Sequence, residues 1–169
     1  MEASTEHLWC EILPITLQAG QIMYIQRGQD TAAAWHEPYD PISHPSDIVR
    51  ACVEAFFGSM LDPCASVVHS TAWRYESSST ASGRLILTYL AVLPSICCAP
   101  SWPARQLMLQ PVRAGMVARS GTLGPPERVA LQHILALTLD HLALLLETDF
   151  AIWRALGPLW RAALTQRQR

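Results

Sequence analysis

Residues 46–61 read SDIVRACVEAFFGSML, and this stretch carries the clearest structural signal in the chain. Its apolar residues recur at i, i+1, i+4 and i+5, a spacing that places them on one side of an α-helix. They are Ile48, Val49, Cys52, Val53, Phe56, Phe57, Met60 and Leu61. Ser46 is a suitable N-cap, and Asp47 lies at the positive end of the helix dipole. The sequence therefore predicts one amphipathic helix that covers a sheet.

Short strands are predicted on both sides of this helix. Residues 12–17 and 21–26 are rich in Ile, Thr and Tyr around an Ala19-Gly20 turn, which is typical of a β-hairpin. Residues 65–75 and 84–93 form a second hairpin across the Ser-rich segment between them. Because residues 84–93 are apolar on both faces, they indicate a central strand that is covered on both sides.

Helices are predicted in the carboxy-terminal part. A long leucine-rich helix follows two prolines and spans residues 127–147, since proline is tolerated in the first helical turn. A last helix spans residues 149–166 and breaks near Gly157-Pro158. Residues 94–126 are rich in proline, and only 106–112 and 115–118 resemble strands.

Together these elements predict a single α+β domain over residues 1–169. An antiparallel or mixed sheet of about four to six strands is covered by the helix at 46–61 and by the leucine-rich helices. The leucines of 127–147 occupy more than half of the helix circumference, which is wider than one sheet contact needs. This helix is therefore interpreted either as buried or as the seam of a homodimer.

Composition limits the classes of function. Hydrophobic residues make up 50% of the chain, charged residues 15%, and the formal net charge is −2. Such a balance provides no broad positive field, so no nucleic-acid partner is predicted. The amino terminus lacks the basic start of a secretory signal, which predicts a cytoplasmic protein. Polar and acidic residues interrupt the apolar stretch 129–146, so no membrane span is predicted.

The densest group of polar residues lies in the predicted loop 27–45. Its candidate ligand-binding residues are Trp35, His36, Asp40 and His44. In the strand 65–75, alternation places His69, Thr71, Trp73 and Tyr75 on one face, and Trp73 and Tyr75 join the ligand-binding candidates. One interpretation is a pocket between this loop and this strand. The other is a loop rich in proline and aromatic residues that packs on the sheet without a ligand.

Familiar catalytic and metal-binding motifs are absent from the sequence. It contains no glycine-rich phosphate loop, no Gly-x-Ser-x-Gly elbow, no His-Glu-x-x-His helix and no zinc-finger spacing. The five cysteines form an odd set without a Cys-x-x-Cys pair, which predicts reduced thiols. No metal site is predicted from spacing.

Residues 50–58 read RACVEAFFG and follow a predicted hairpin. This arrangement resembles the Nudix hydrolase fold, whose metal-binding box ends in Arg-Glu-apolar-x-Glu-Glu-x-Gly-apolar. Arg50, Cys52 and Glu54 fall in register with the box; Ala51 and Ala55 replace two glutamates, and the glycine comes one place late. The resemblance implies Mg²⁺ as cofactor, a nucleotide-diphosphate substrate and Glu54 as the retained carboxylate.

Two functions follow from these observations. The leading interpretation is a non-catalytic, self-associating or partner-binding domain, because the apolar excess is present and recognisable catalytic groups are not. The alternative is a Nudix-like hydrolase of small molecules or nucleotide diphosphates with a degenerate metal site, for which Glu54 and His69 are the catalytic candidates. Whether the protein is an enzyme is left open by the sequence, and metal dependence would separate the two interpretations.

Overall fold

A computed structural model describes residues 7–27, 35–39, 42–57, 67–76, 83–93, 107–112 and 126–167. The elements in chain order are β1 His7–Gln18, β2 Gln21–Arg27, β3 Trp35–Pro38, α1 Pro45–Phe57, β4 Val67–Glu76, β5 Arg84–Leu93, β6 Leu107–Pro111, α2 Pro126–Thr148 and α3 Phe150–Arg167. The predicted α+β class is confirmed. Predictions for Asp40, for three of the cysteines (Cys64, Cys97 and Cys98) and for residues 115–118 lie outside the described residues.

The sheet is mixed, and β1 is at its centre. The strand order is β4-β5-β1-β2-β6, with β3 beside β1 on the same side as β2. β1 is antiparallel to β2 and β3 but parallel to β5, so that Glu11 lies beside Thr88. In the turn between β1 and β2, Ala19 and Gly20 have positive φ angles of 50° and 77°. Two left-handed residues in succession match the twist of a tight hairpin, which explains the predicted turn.

The core is divided by the sheet into two parts. The α2-side core lies between the sheet and the two carboxy-terminal helices, and includes Leu13, Leu90, Leu139, Leu142 and Trp160. The α1-side core lies on the opposite face, and includes Cys10, Trp35, Val49, Val53 and Tyr89. Because neighbouring residues of β5 contribute to both, the prediction that this strand is covered on both sides is confirmed.

A kink divides α3, as the sequence predicts. Gly157 has φ 68° and ψ −167°, a backbone conformation that is essentially restricted to glycine, and Pro158 follows it. Asp149 precedes the helix, and its carboxylate accepts hydrogen bonds from the backbone N–H groups of Ala151 and Ile152. None of the helices in the described ranges is long and apolar enough to cross a membrane.

The predicted loop 27–45 is interrupted by a strand. Residues Trp35–Pro38 form β3 and pair antiparallel with Trp9–Ile12 of β1. Trp35 is buried in the α1-side core, so its large apolar side chain anchors the strand to the sheet. Pro38 occupies the end of β3, where the missing N–H of proline is tolerated. The expectation of an uninterrupted loop is therefore wrong.

Candidate functional site

A carboxylate is buried at the centre of the sheet. Glu11 of β1 is only 2% exposed and accepts two hydrogen bonds from Arg74 of β4, at 2.7 and 2.8 Å. The Thr88 hydroxyl donates a third at 2.8 Å, and His36 Nε2 lies 3.4 Å from Glu11 Oε1. We refer to Glu11, His36, Arg74 and Thr88 as the Glu11 cluster. Every side chain in it comes from a different strand, so the cluster links β1, β3, β4 and β5.

Electrostatics keep the Glu11 carboxyl ionised. Burial raises its pKa, but hydrogen bonds from His36, Arg74 and Thr88, together with the charge of Arg74, outweigh burial and lower the pKa to about 2. The same bidentate contact raises the pKa of Arg74. The pair is therefore a permanent ion pair at neutral pH, with the geometry that a guanidinium and a carboxylate prefer.

A β-bulge brings Arg74 to this face of the sheet. Ser70 lies opposite Tyr89 and Ala72 opposite Thr88, so Thr71 is an extra residue in β4. Such an insertion breaks the alternation of side chains along a strand. Thr71 donates to the Thr88 carbonyl oxygen at 3.2 Å, and Arg74 points to Glu11. The single face predicted for His69, Thr71, Trp73 and Tyr75 is therefore wrong.

Two further contacts lie at the same end of the sheet as the Glu11 cluster. Arg74 also donates from Nε to Glu76 at 3.1 Å, and Arg84 lies 5.5 Å from the ring centre of Trp9. Both terminal nitrogens of Arg74 are already bound to Glu11, so this arginine is not free to bind a phosphate group. The Glu11 cluster therefore links the central strands, and its members His36 and Arg74 remain partly accessible to solvent, at 39% and 32%.

The helix α1 carries the residues that resemble the Nudix box. The thiol of Cys52 donates to Glu37 of β3 at 3.4 Å, and burial followed by the charge of Glu37 raises the pKa of Cys10. Glu54 is exposed and lies two residues after Cys52, about 200° around the helix, so it points away from Glu37. In the described part of the chain, no three His, Cys, Asp or Glu residues converge as metal ligands. These carboxylates do not fit a Nudix-type magnesium site.

The ligand-binding candidates from the predicted loop separate in the structure. Trp35 is in the α1-side core, His36 is in the Glu11 cluster, and the His44 ring contacts the Ser46 hydroxyl at 2.7 Å near the start of α1. On β4, Trp73 is 72% exposed and Tyr75 is also exposed. His69 contacts His141 of α2.

In the described residues, β3 and β4 are not neighbours in the sheet. The strands β3 and β4 are separated by β1 and β5, which corresponds to about 14 Å across the sheet. His36, His44 and His69 therefore do not meet at one ligand, because each has a different set of neighbours. A pocket between the loop and the strand stays a prediction.

The residues of the Glu11 cluster were not among the sequence candidates, apart from His36. The predicted first strand began at Ile12, one residue after Glu11. The available signal was an acid directly followed by the apolar run Ile12-Leu13, since a carboxylate in such a strand requires a cationic partner. The sequence gives no local indication that Arg74 is that partner.

Comparisons with known proteins connect this fold to one family. A MutT/nudix family protein from Enterococcus faecalis superimposes over 97% of this chain and 75% of its own, with a TM-score of 0.61 and 11% identity. NrtR from Shewanella oneidensis covers 96% of this chain and 79% of its own, with a TM-score of 0.60 and 11% identity. NrtR complexed with a 27mer DNA gives a TM-score of 0.53, 11% identity, and coverage of 95% and 81%. No protein-family model matches the chain, and neither does any curated protein.

These matches correct the leading functional interpretation. A non-catalytic, self-associating or partner-binding domain was preferred from composition, but a MutT/nudix family protein shares this architecture over almost the whole chain. The Nudix-like alternative agrees better with this match, and the sheet carries an apolar core on each face. At 11% identity the likeness concerns architecture. The chain has the Nudix fold.

Proposed function

We propose that the protein is a Nudix-like hydrolase that acts on a small compound containing a nucleotide diphosphate. The observation that carries this proposal is the structural match over 97% of the chain to a MutT/nudix family protein. The position of α1 supports it, because this helix packs on the mixed sheet and contains the residues that resemble the Nudix box.

Glu54 is the residue that we assign to the reaction. It is in register with the box and exposed to solvent, and its carboxylate is able to accept a proton from a water molecule that attacks phosphorus. His69, the second catalytic candidate, lies on β4 with its ring against α2. Because the carboxylates near α1 do not converge as a magnesium site, no step of the proposed reaction is assigned to a metal.

The proposal predicts that Glu54→Gln lowers kcat/KM by about 100-fold, the usual contribution of a general base. The measurement is release of phosphate or nucleoside monophosphate from nucleoside diphosphates, dinucleoside polyphosphates and nucleotide sugars, each with Mg²⁺ and with a chelator. Glu147→Gln is the matched control, because Glu147 is an exposed acid on α2 and should leave the rate unchanged. Absence of turnover across the whole panel would refute the hydrolase, and equal rates for both variants would refute the role of Glu54.

We also propose that the protein works in the cytoplasm as a homodimer through the helix 127–147. Leu137 and Leu144 of α2 are 56% and 58% exposed, and their seven-residue spacing places them on one side of the helix. The double substitution Leu137→Asp/Leu144→Asp should halve the mass measured by light scattering. Leu159→Asp is the control, since Leu159 is exposed on α3. A mass that is unchanged by the double substitution would exclude this seam.

A further inference from the structure

Two histidines from distant parts of the sequence meet between β4 and α2. The ring centres of His69 and His141 are 5.4 Å apart, and their planes are inclined by 66°. Both side chains are half-buried. His69 lies opposite Leu90, whose side chain is in the α2-side core, and this register directs His69 toward the helix. The pair is therefore held by the packing of α2 on the sheet.

A backbone contact fixes the tautomer of His69. Its Nδ1 lies 2.6 Å from the Ser70 carbonyl oxygen. A carbonyl oxygen only accepts hydrogen bonds, so Nδ1 carries the proton and the Nε2 lone pair remains available. Metal-binding histidines are usually oriented in this way, with one ring nitrogen donating to a carbonyl or carboxylate and the other bound to the ion.

We propose that His69 and His141 form a binding site for a divalent transition-metal ion that bridges β4 and α2. Two imidazoles bound to one tetrahedral ion have ring centres about 5 Å apart, which is close to the observed separation. Imidazole ligands favour Zn²⁺, Ni²⁺ and Cu²⁺ over Mg²⁺ and Ca²⁺, which prefer oxygen. Within the described residues no third His, Cys, Asp or Glu joins the pair, so water fills the other coordination positions.

The ion would cross-link two elements that otherwise pack through few polar contacts. The polar contact described beside the pair joins the hydroxyls of Thr71 and Thr138 at 3.5 Å, which is a long hydrogen bond. Since the two histidines come together only in the folded chain, binding stabilises the fold and is measurable without a substrate. The site does not include Glu54, the residue assigned to the proposed reaction, so metal binding and hydrolysis are measured separately.

The test is metal titration of protein from which any affinity tag has been removed. Isothermal titration calorimetry should show that the His69–His141 pair binds one Zn²⁺ or Ni²⁺ ion per chain. At a metal concentration about a hundredfold above Kd, the Tm of the protein should rise by about 5 °C. Mg²⁺ and Ca²⁺ should have no effect. His69→Gln and His141→Gln should each abolish the rise, whereas His133→Gln, an exposed histidine on the same helix, should preserve it.

Cysteine thiols are an alternative source of metal binding, so the variants decide the outcome. Retention of the full Tm rise in the His69→Gln/His141→Gln double variant would overturn the proposal. Each variant is first checked by circular dichroism in the presence of a chelator, which shows whether it folds without metal. If a variant is unfolded, substoichiometric Cu²⁺ added to the wild-type protein should broaden the NMR signals of His69 and His141 before those of His133. Equal broadening of all three would also overturn it.

Discussion

Arg74→Met is expected to lower the free energy of unfolding by about 3–5 kcal/mol, the usual effect of removing one partner from a buried ion pair. The Glu11 carboxylate is almost fully buried and cannot reach water when the guanidinium is removed. It would retain only the Thr88 hydroxyl and the longer contact with His36. The measurement is urea unfolding at pH 7, followed by circular dichroism.

Removal of the Glu11 carboxylate should lower the free energy of unfolding by less than removal of Arg74. Glu11→Gln leaves Arg74, which is 32% exposed and is able to turn toward solvent and Glu76. We therefore expect a loss of about 1–3 kcal/mol, and the double variant should be close to the Arg74→Met single variant or more stable than it. Arg84→Met is the control, because Arg84 is an exposed arginine on the same sheet face whose guanidinium lies over the Trp9 ring. Equal stability of Arg74→Met and Arg84→Met would show that the buried pair contributes nothing.

The Glu11 cluster also makes stability depend on pH. The pKa of Glu11 falls from 4.5 to about 2 on folding, so the folded state holds the carboxylate ionised where the unfolded state binds a proton. The contribution of the ionised Glu11 to the free energy of unfolding is present above pH 4.5 and is lost as the pH falls toward 2. The full difference corresponds to about 3 kcal/mol. In Glu11→Gln the unfolding free energy should fall less steeply across this range.

The second large effect is expected at Leu142. Its side chain is fully buried in the α2-side core, so Leu142→Asp places an unpaired carboxylate among leucines and should unfold the protein, at a cost of more than about 4 kcal/mol. The control is Leu159→Asp on α3, outside the proposed seam, where the side chain is 75% exposed. This change should alter stability by less than about 1 kcal/mol. Thermal unfolding by calorimetry measures both.

The burial of Leu142 also determines which substitutions are able to test the homodimer. An aspartate at position 142 would destroy the fold of each subunit and give no information about association. A folded Leu142→Asp variant with a near-native Tm would contradict the placement of α2 against the sheet. Only the exposed leucines of α2 report on a seam between two chains.

Local patterns in the sequence were sufficient for the helices and hairpins. The apolar spacing around Val49 and Val53 placed α1 correctly on a sheet, because a helix with one apolar face must bury it. The turn at Ala19-Gly20 and the kink at Gly157 were also predicted, since both depend on short-range backbone preferences. These features require no knowledge of distant residues.

Features that depend on distant pairings were not predicted. β3 has four residues and is stabilised by its pairing with β1 and by the burial of Trp35. The bulge at Thr71 inserts one residue without a sequence signature, and it reverses the faces of Trp73 and Arg74. The positions of the functional candidates depend on distant pairings as well: His36 on β3 and His69 on β4 are separated by the two strands β1 and β5.

The parallel pairing of β1 with β5 has a consequence for synthesis of the protein. His7 is beside Arg84 and Thr16 is beside Leu93, so β1 is synthesised well before β5, the strand that covers one of its edges. Until then, the β1–β2 hairpin presents an apolar strand with an open edge, and such edges pair readily with other chains. Bringing together segments this far apart in the chain is also slow. A nascent chain that stops before residue 93 therefore cannot complete the centre of its sheet.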